Sequence, residues 1–139
     1  MEVIRHIYRE LNDLADGVAK EAWSRRTSYW KEFPAISRLY HSTPKYLRIF
    51  TDGSHRDGLA SSGMVVFGAW EESLLERADY MANFCGTRED VQNLTMPTWE
   101  LILEAGLFLG KTTIVDAELK GVQNATAFIR FVASRPVQG

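Results

Sequence analysis

Asp52 is the residue of this chain whose setting best suits chemistry. It closes the run Tyr46-Leu47-Arg48-Ile49-Phe50-Thr51 and is followed by Gly53-Ser54. Aromatic and β-branched types suit a pleated, buried surface. Pro44 bounds the run on one side, and Gly53 permits a turn on the other. The pattern predicts a central strand that ends on a carboxylate. Two readings follow. In one, Asp-Gly is a turn that stops a strand. In the other, the acid sits at the sheet edge to hold a metal ion through hard oxygen ligands, because a charge beside a core needs compensation.

The elements around Asp52 must position it. A chain of 139 residues, 45% apolar and 24% charged, is expected to be globular and long enough to bury a core. Cys85 is its one cysteine, which excludes an internal disulfide and a cysteine-built zinc site. It suits a reducing, intracellular compartment, cytoplasmic or nuclear. The net charge of −2 advertises no polyanionic partner, so any such argument rests on local patches. No apolar core follows Met1-Glu2-Val3-Ile4-Arg5-His6, so no signal peptide is expected, and no apolar stretch is long enough to span a bilayer.

In chain order, residues 3–8 read as a short strand. A helix follows from Asn12 or Asp13, either of which can cap it, with Leu14, Val18 and Ala22 as its apolar stripe, widened by Leu11, Ala15 and Trp23. Residues 24–45 read as a linker in which Arg25, Arg26, Lys31 and Arg38 alternate with Tyr29, Trp30, Phe33 and Tyr40. Such a mixture either binds single-stranded nucleic acid or connects elements and packs its aromatics on the domain. The turn His55-Arg56-Asp57-Gly58 predicts a hairpin from the first strand (46–52) to a second (62–70). Residues 71–78 suggest a helical turn, 86–93 a loop and 99–109 a third strand. From Asp116 the period changes to that of a helix through Leu119, Val122, Thr126, Ile129 and Val132, with Asp116 as its cap and Glu118 in its first turn. Pro136 marks its end.

This order resembles the ribonuclease H family, especially its retroelement-type branch. The resemblance is carried by Ile49-Phe50-Thr51-Asp52-Gly53-Ser54, by the hairpin from Gly58 to Trp70, and by Gly110 to Leu119 with its Asp-Ala-Glu-Leu helix start. A third match, His6-Ile7-Tyr8-Arg9-Glu10-Leu11-Asn12-Asp13-Leu14-Ala15-Asp16, is similar to the closing segment of such a domain, here placed first. The order is that of a permuted domain with a deletion, or of a slice across two tandem domains. The resemblance implies an α/β, ribonuclease H-like but truncated fold: a three-stranded antiparallel hairpin sheet, extended by a parallel strand, with helices packed on it. It divides the chain into a closing strand and helix (1–24), a linker (25–45) and an opening half-domain (46–139).

The family hydrolyses the RNA strand of RNA–DNA hybrids with two Mg2+ ions, Mn2+ being the alternative. The resemblance carries its catalytic and metal-binding acids onto Asp52, Glu118 and Asp16. Auxiliary roles fall to His6, Ser54 and Asp116, and Lys45 and Arg56 are candidates for phosphate contacts. The family's fourth carboxylate has no clear counterpart. Weak metal binding and impaired cleavage by this chain alone are therefore expected, with a second chain or the remainder of a polyprotein able to complete the domain. Two other readings stand beside this one: a non-catalytic, nucleic-acid-binding remnant of a retroelement polyprotein, and an unrelated small α/β interaction domain whose acids are caps and turn residues.

Overall fold

The computed structural model describes residues 12–70 and 100–134. The elements are α1 (Asp13–Arg25), β1 (Tyr29–Glu32), a 3-10 helix (Pro34–Tyr40), β2 (Tyr46–Arg56), β3 (Leu59–Ala69), β4 (Glu100–Lys111) and α2 (Ile114–Ser134). The strands form one open, wholly antiparallel sheet in the order β1-β4-β3-β2. The protein is thus α/β, with helices packed on a sheet that is four-stranded among the described residues. The expected strand at 3–8, helical turn at 71–78, loop at 86–93 and stop at Pro136 lie outside the described residues.

The strand carrying Asp52 differs from expectation in two ways. It lies at the edge of the described sheet rather than inside it, with β3 and β4 as the inner strands. The difference is visible in residue types: β3 is buried at every position from Ala60 to Ala69, whereas β2 interrupts its apolar run with Arg48, Thr51, Asp52 and Ser54. Charged side chains suit an edge better than the interior of a sheet. The apolar members of β2 are covered by helices instead. Phe50 joins Val65, Phe67, Ala15 and Val18 on one face, while Leu47 and Ile49 join Val66, Leu103, Ala125 and Phe128 on the other.

β2 also continues past Asp52 to Arg56, so the acid stands within a strand and not at its tip. The reversal is made by Asp57 and Gly58, both at positive φ (54° and 77°), the backbone that a two-residue hairpin turn requires. Gly53 has a different use. A Cβ at this position would meet the Ala117 Cβ at 3.1 Å and the Glu118 backbone nitrogen at 3.2 Å, so its missing side chain is what lets α2 settle on the strand.

α1 covers the opposite face of the sheet from α2. Its buried seam is Ala15, Val18, Ala19 and Ala22, and Leu14, expected in the apolar stripe, is exposed. Small residues win because the helix backbone presses onto β3: a Cβ at Gly63 would lie 2.6 Å from the Ala19 nitrogen. The Ser61 hydroxyl locks this seam by donating to the Ala19 carbonyl at 2.5 Å. Asn12 occupies the N-cap position without bonding the helix, and its side-chain amide donates instead to the Thr51 carbonyl on β2.

The stretch 25–45, read as a linker, holds β1 and the 3-10 helix. β1 pairs with β4, from Tyr29 opposite Gly106 to Glu32 opposite Leu103. Four mostly exposed edge residues leave little periodic signal to read. At the start of α2, the Thr113 hydroxyl accepts the Asp116 N–H at 3.1 Å, and the Asp116 carboxylate accepts from the Thr112 hydroxyl. Thr113 is therefore the cap, and Asp116 supports it from the third helical position.

Candidate functional site

Successive side chains of a strand alternate between faces. Asp52 stands opposite Gly63, so its side chain shares the α1 face, while Thr51 and Gly53 face α2. The seating of α1 on Gly63 carries Asp16 to the same place. The seating of α2 on Gly53 brings Glu118 in from the other side of the strand. Two close backbone contacts thereby position three acids from three separated elements.

The electrostatics register this meeting. Loss of hydration is the largest influence on the Asp52 carboxyl and lifts it from an ordinary 3.8 to about 6. The Gly53 N–H, donating to Oδ1 at 2.9 Å, pulls it down. The charge of Asp16, a hydrogen bond with the Asp16 carboxylate, and the charge of Glu118 push it up again. Near neutrality Asp52 is thus poised between a proton-sharing partner of Asp16 and a carboxylate crowded by like charge.

Asp16 has a second partner, the Lys20 ammonium at 2.9 Å, one helical turn on. The ion pair with Lys20 is thus present together with the influence of Asp16 on Asp52. Lys20 competes for the oxygens that a cation would use. As placed, no three acidic, imidazole or thiol groups among the described residues stand close enough together to hold a metal ion. The donors fit Mg2+ or Mn2+ in chemical type, all being carboxylate oxygens, but as placed they are not gathered closely enough to hold one.

The other expected residues divide. Ser54 lies two residues beyond Asp52 on the same face of β2, opposite Ser61. Asp116 is engaged at the start of α2 and is not among the charges that shift Asp52. Lys45 and Arg56 stand at opposite ends of β2 and do not form one patch. His6 lies outside the described residues. Sequence reasoning missed Asn12, which ties the start of α1 to β2 beside the acid. The glycine directly after Asp52 was the available signal for close helix approach, but it reads equally well as a turn.

No helix among the described residues is long and apolar enough to cross a membrane. No family model, no curated protein and no solved structure matches the chain.

Proposed function

We propose that this chain is a ribonuclease H-like domain whose Asp52, Asp16 and Glu118 bind Mg2+ weakly at the junction of β2, α1 and α2, and whose cleavage of the RNA strand of an RNA–DNA hybrid is slow or absent in the chain alone. The observation that carries the reading is that Asp16 and Glu118, from distant parts of the sequence, both act on the Asp52 carboxyl. A carboxyl raised by neighbouring acids gains from a cation for the same reason that it gains from a proton, because either one relieves the repulsion. Mg2+ or Mn2+, when bound, would polarise the phosphodiester and activate water.

The chain's own residues would do the rest. Asp52 is the most desolvated acid of the group and would be the shared ligand. Asp16 would turn from Lys20 toward the ion, and Glu118 would approach over Gly53. The family's fourth acid has no counterpart here, so ligand geometry is expected to limit catalysis before affinity does. The separation of the three acids favours a nucleic-acid-binding remnant as the second reading.

The test has two arms. At about ten times a weak dissociation constant, Mg2+ should stabilise the protein by about 1.4 kcal/mol through linkage, and Asp52→Asn should abolish that gain. A hybrid-cleavage assay should show slow, metal-dependent cleavage, or none, with any cleavage lost in the variant. The absence of any metal-induced stabilisation would remove the site. Rapid turnover by the isolated chain would show that three acids suffice.

A further inference from the structure

The arginines of this chain are not equivalent. Arg25 is neutralised by Glu21 at 2.7 Å, and Arg38 is bonded to Glu100. Arg26 and Arg56 have no carboxylate within ion-pair reach among the described residues. Both stack on one ring, that of Trp23, with guanidinium carbons 3.8 Å and 4.4 Å from its centroid. The two cations are therefore no farther apart than the sum of those distances.

The cluster is built, not incidental. The Trp23 indole N–H is shared between the carbonyls of Leu59 (3.1 Å) and Arg56 (3.2 Å), which fixes the ring against the hairpin turn. Arg26 is the C-cap of α1, in the left-handed region at φ 55°, and its guanidinium folds back to donate to the Trp23 carbonyl at 2.6 Å. Two like charges are thus held against one ring, stabilised by its π-system and exposed to solvent. Even at that upper bound, a phosphate at the edge of the ring can bridge the two guanidinium groups with charge-assisted hydrogen bonds of about 2.8 Å. Guanidinium donors on a rigid aromatic support also lose little freedom on binding.

The position is as informative as the chemistry. Arg56 follows Asp52 by four residues on the same strand and the same face, roughly 13 Å along it. An anion held there cannot be the one reacting at Asp52, but it can be a flanking phosphate of the same polymer. Resting on the reading of this chain as a nucleic-acid-cleaving domain, we propose that Arg26 and Arg56, mounted on Trp23, form a phosphate clamp that grips the nucleic-acid backbone to one side of the acid site.

The test is fluorescence anisotropy with a labelled RNA–DNA hybrid, in chelator so that the acid site contributes no metal, between about 50 and 200 mM salt. Wild type should bind with a steep salt dependence. R26Q/R56Q should bind roughly tenfold more weakly, with a log–log salt slope shallower by about one. Its melting point should stay within about 3 °C of wild type. If the double variant does not fold, Arg56→Gln alone, which leaves the Arg26 bond to Trp23 in place, must show the same loss. Unchanged affinity and slope would overturn the clamp and reduce the cluster to a staple between α1 and the hairpin. Equal competition by polyglutamate would overturn the assignment to phosphate. Failure of wild type to bind the hybrid would sink the clamp together with the nucleic-acid reading. Hybrid binding by a protein that gains no stability from Mg2+ would sink the metal-site reading and leave the clamp standing.

Discussion

Replacing Asp52 by Asn should make the protein more stable at neutral pH, although it deletes the central acid of the candidate site. In the folded chain the carboxyl is lifted from 3.8 to about 6, first by loss of hydration and then by Asp16 and Glu118. The sign follows from linkage. A group whose folded value lies above its unfolded value stabilises the fold while protonated, fully below the unfolded value, and that contribution is lost as pH rises through about 6. At 1.36 kcal/mol per tenfold, the full difference corresponds to about 3 kcal/mol. Asp52 is only half-buried, and solvent screening reduces this to about 1 kcal/mol. The amide of the Asp52→Asn variant keeps an oxygen for the Gly53 N–H but cannot ionise.

The assay is urea denaturation followed by tryptophan fluorescence, with wild type and variant compared from about pH 4 to about pH 8. Groups common to both proteins cancel in the difference. The two should be nearly equal at the acid end, and the variant should be more stable by about 1 kcal/mol, or about 4 °C in melting point, at the alkaline end. A difference that stays flat with pH, or a variant less stable at the alkaline end, would refute the claim that burial and the neighbouring acids raise the Asp52 carboxyl.

Two further changes test the scaffold and the competitor. Gly63→Ala drives a methyl into the backbone of α1 at Ala15 and Ala19, so it should cost about 2–3 kcal/mol in urea denaturation; a neutral result would mean that the helix is not seated there. Lys20→Gln releases Asp16 from its ion pair and should tighten Mg2+ binding about twofold, as a surface pair worth about 0.3–0.5 kcal/mol implies, measured by titration calorimetry; unchanged or weaker binding would show that Lys20 does not compete.

The parts of the molecule that announce themselves in sequence are those with a long period. α2 shows its period and extent, but not its face: of Leu119, Val122, Thr126, Ile129 and Val132 only Val132 is buried, and the helix turns Ala117, Gly121, Ala125 and Phe128 to the sheet instead. The hairpin shows itself through Asp57-Gly58. The rank of β2 within the sheet was not legible, because aromatic and branched residues look alike whether strands or helices cover them. β1 was hidden by its shortness. The acid site was half legible. Asp52, Asp16 and Glu118 stand out as a pattern of types, and Lys20 stands one helical turn from Asp16, but nothing local says that Asp16 will come beside Asp52 or that Asn12 will reach Thr51. Those depend on how closely two backbones approach, and that is decided by an absent side chain at Gly63.

That contact has a practical meaning. Because α1 rests backbone against backbone on β3, no flexible side chain cushions its position. Asp16 and Asp52 are then read out of a rigid spacing, as two marks on the jaws of a caliper. Any binding event or substitution that lifts the helix by a fraction of an ångström must open the acid pair in proportion. The Asp52 carboxyl carbon, followed by NMR through its titration, would serve as a gauge of helix seating throughout the domain, whatever reaction the site proves to support.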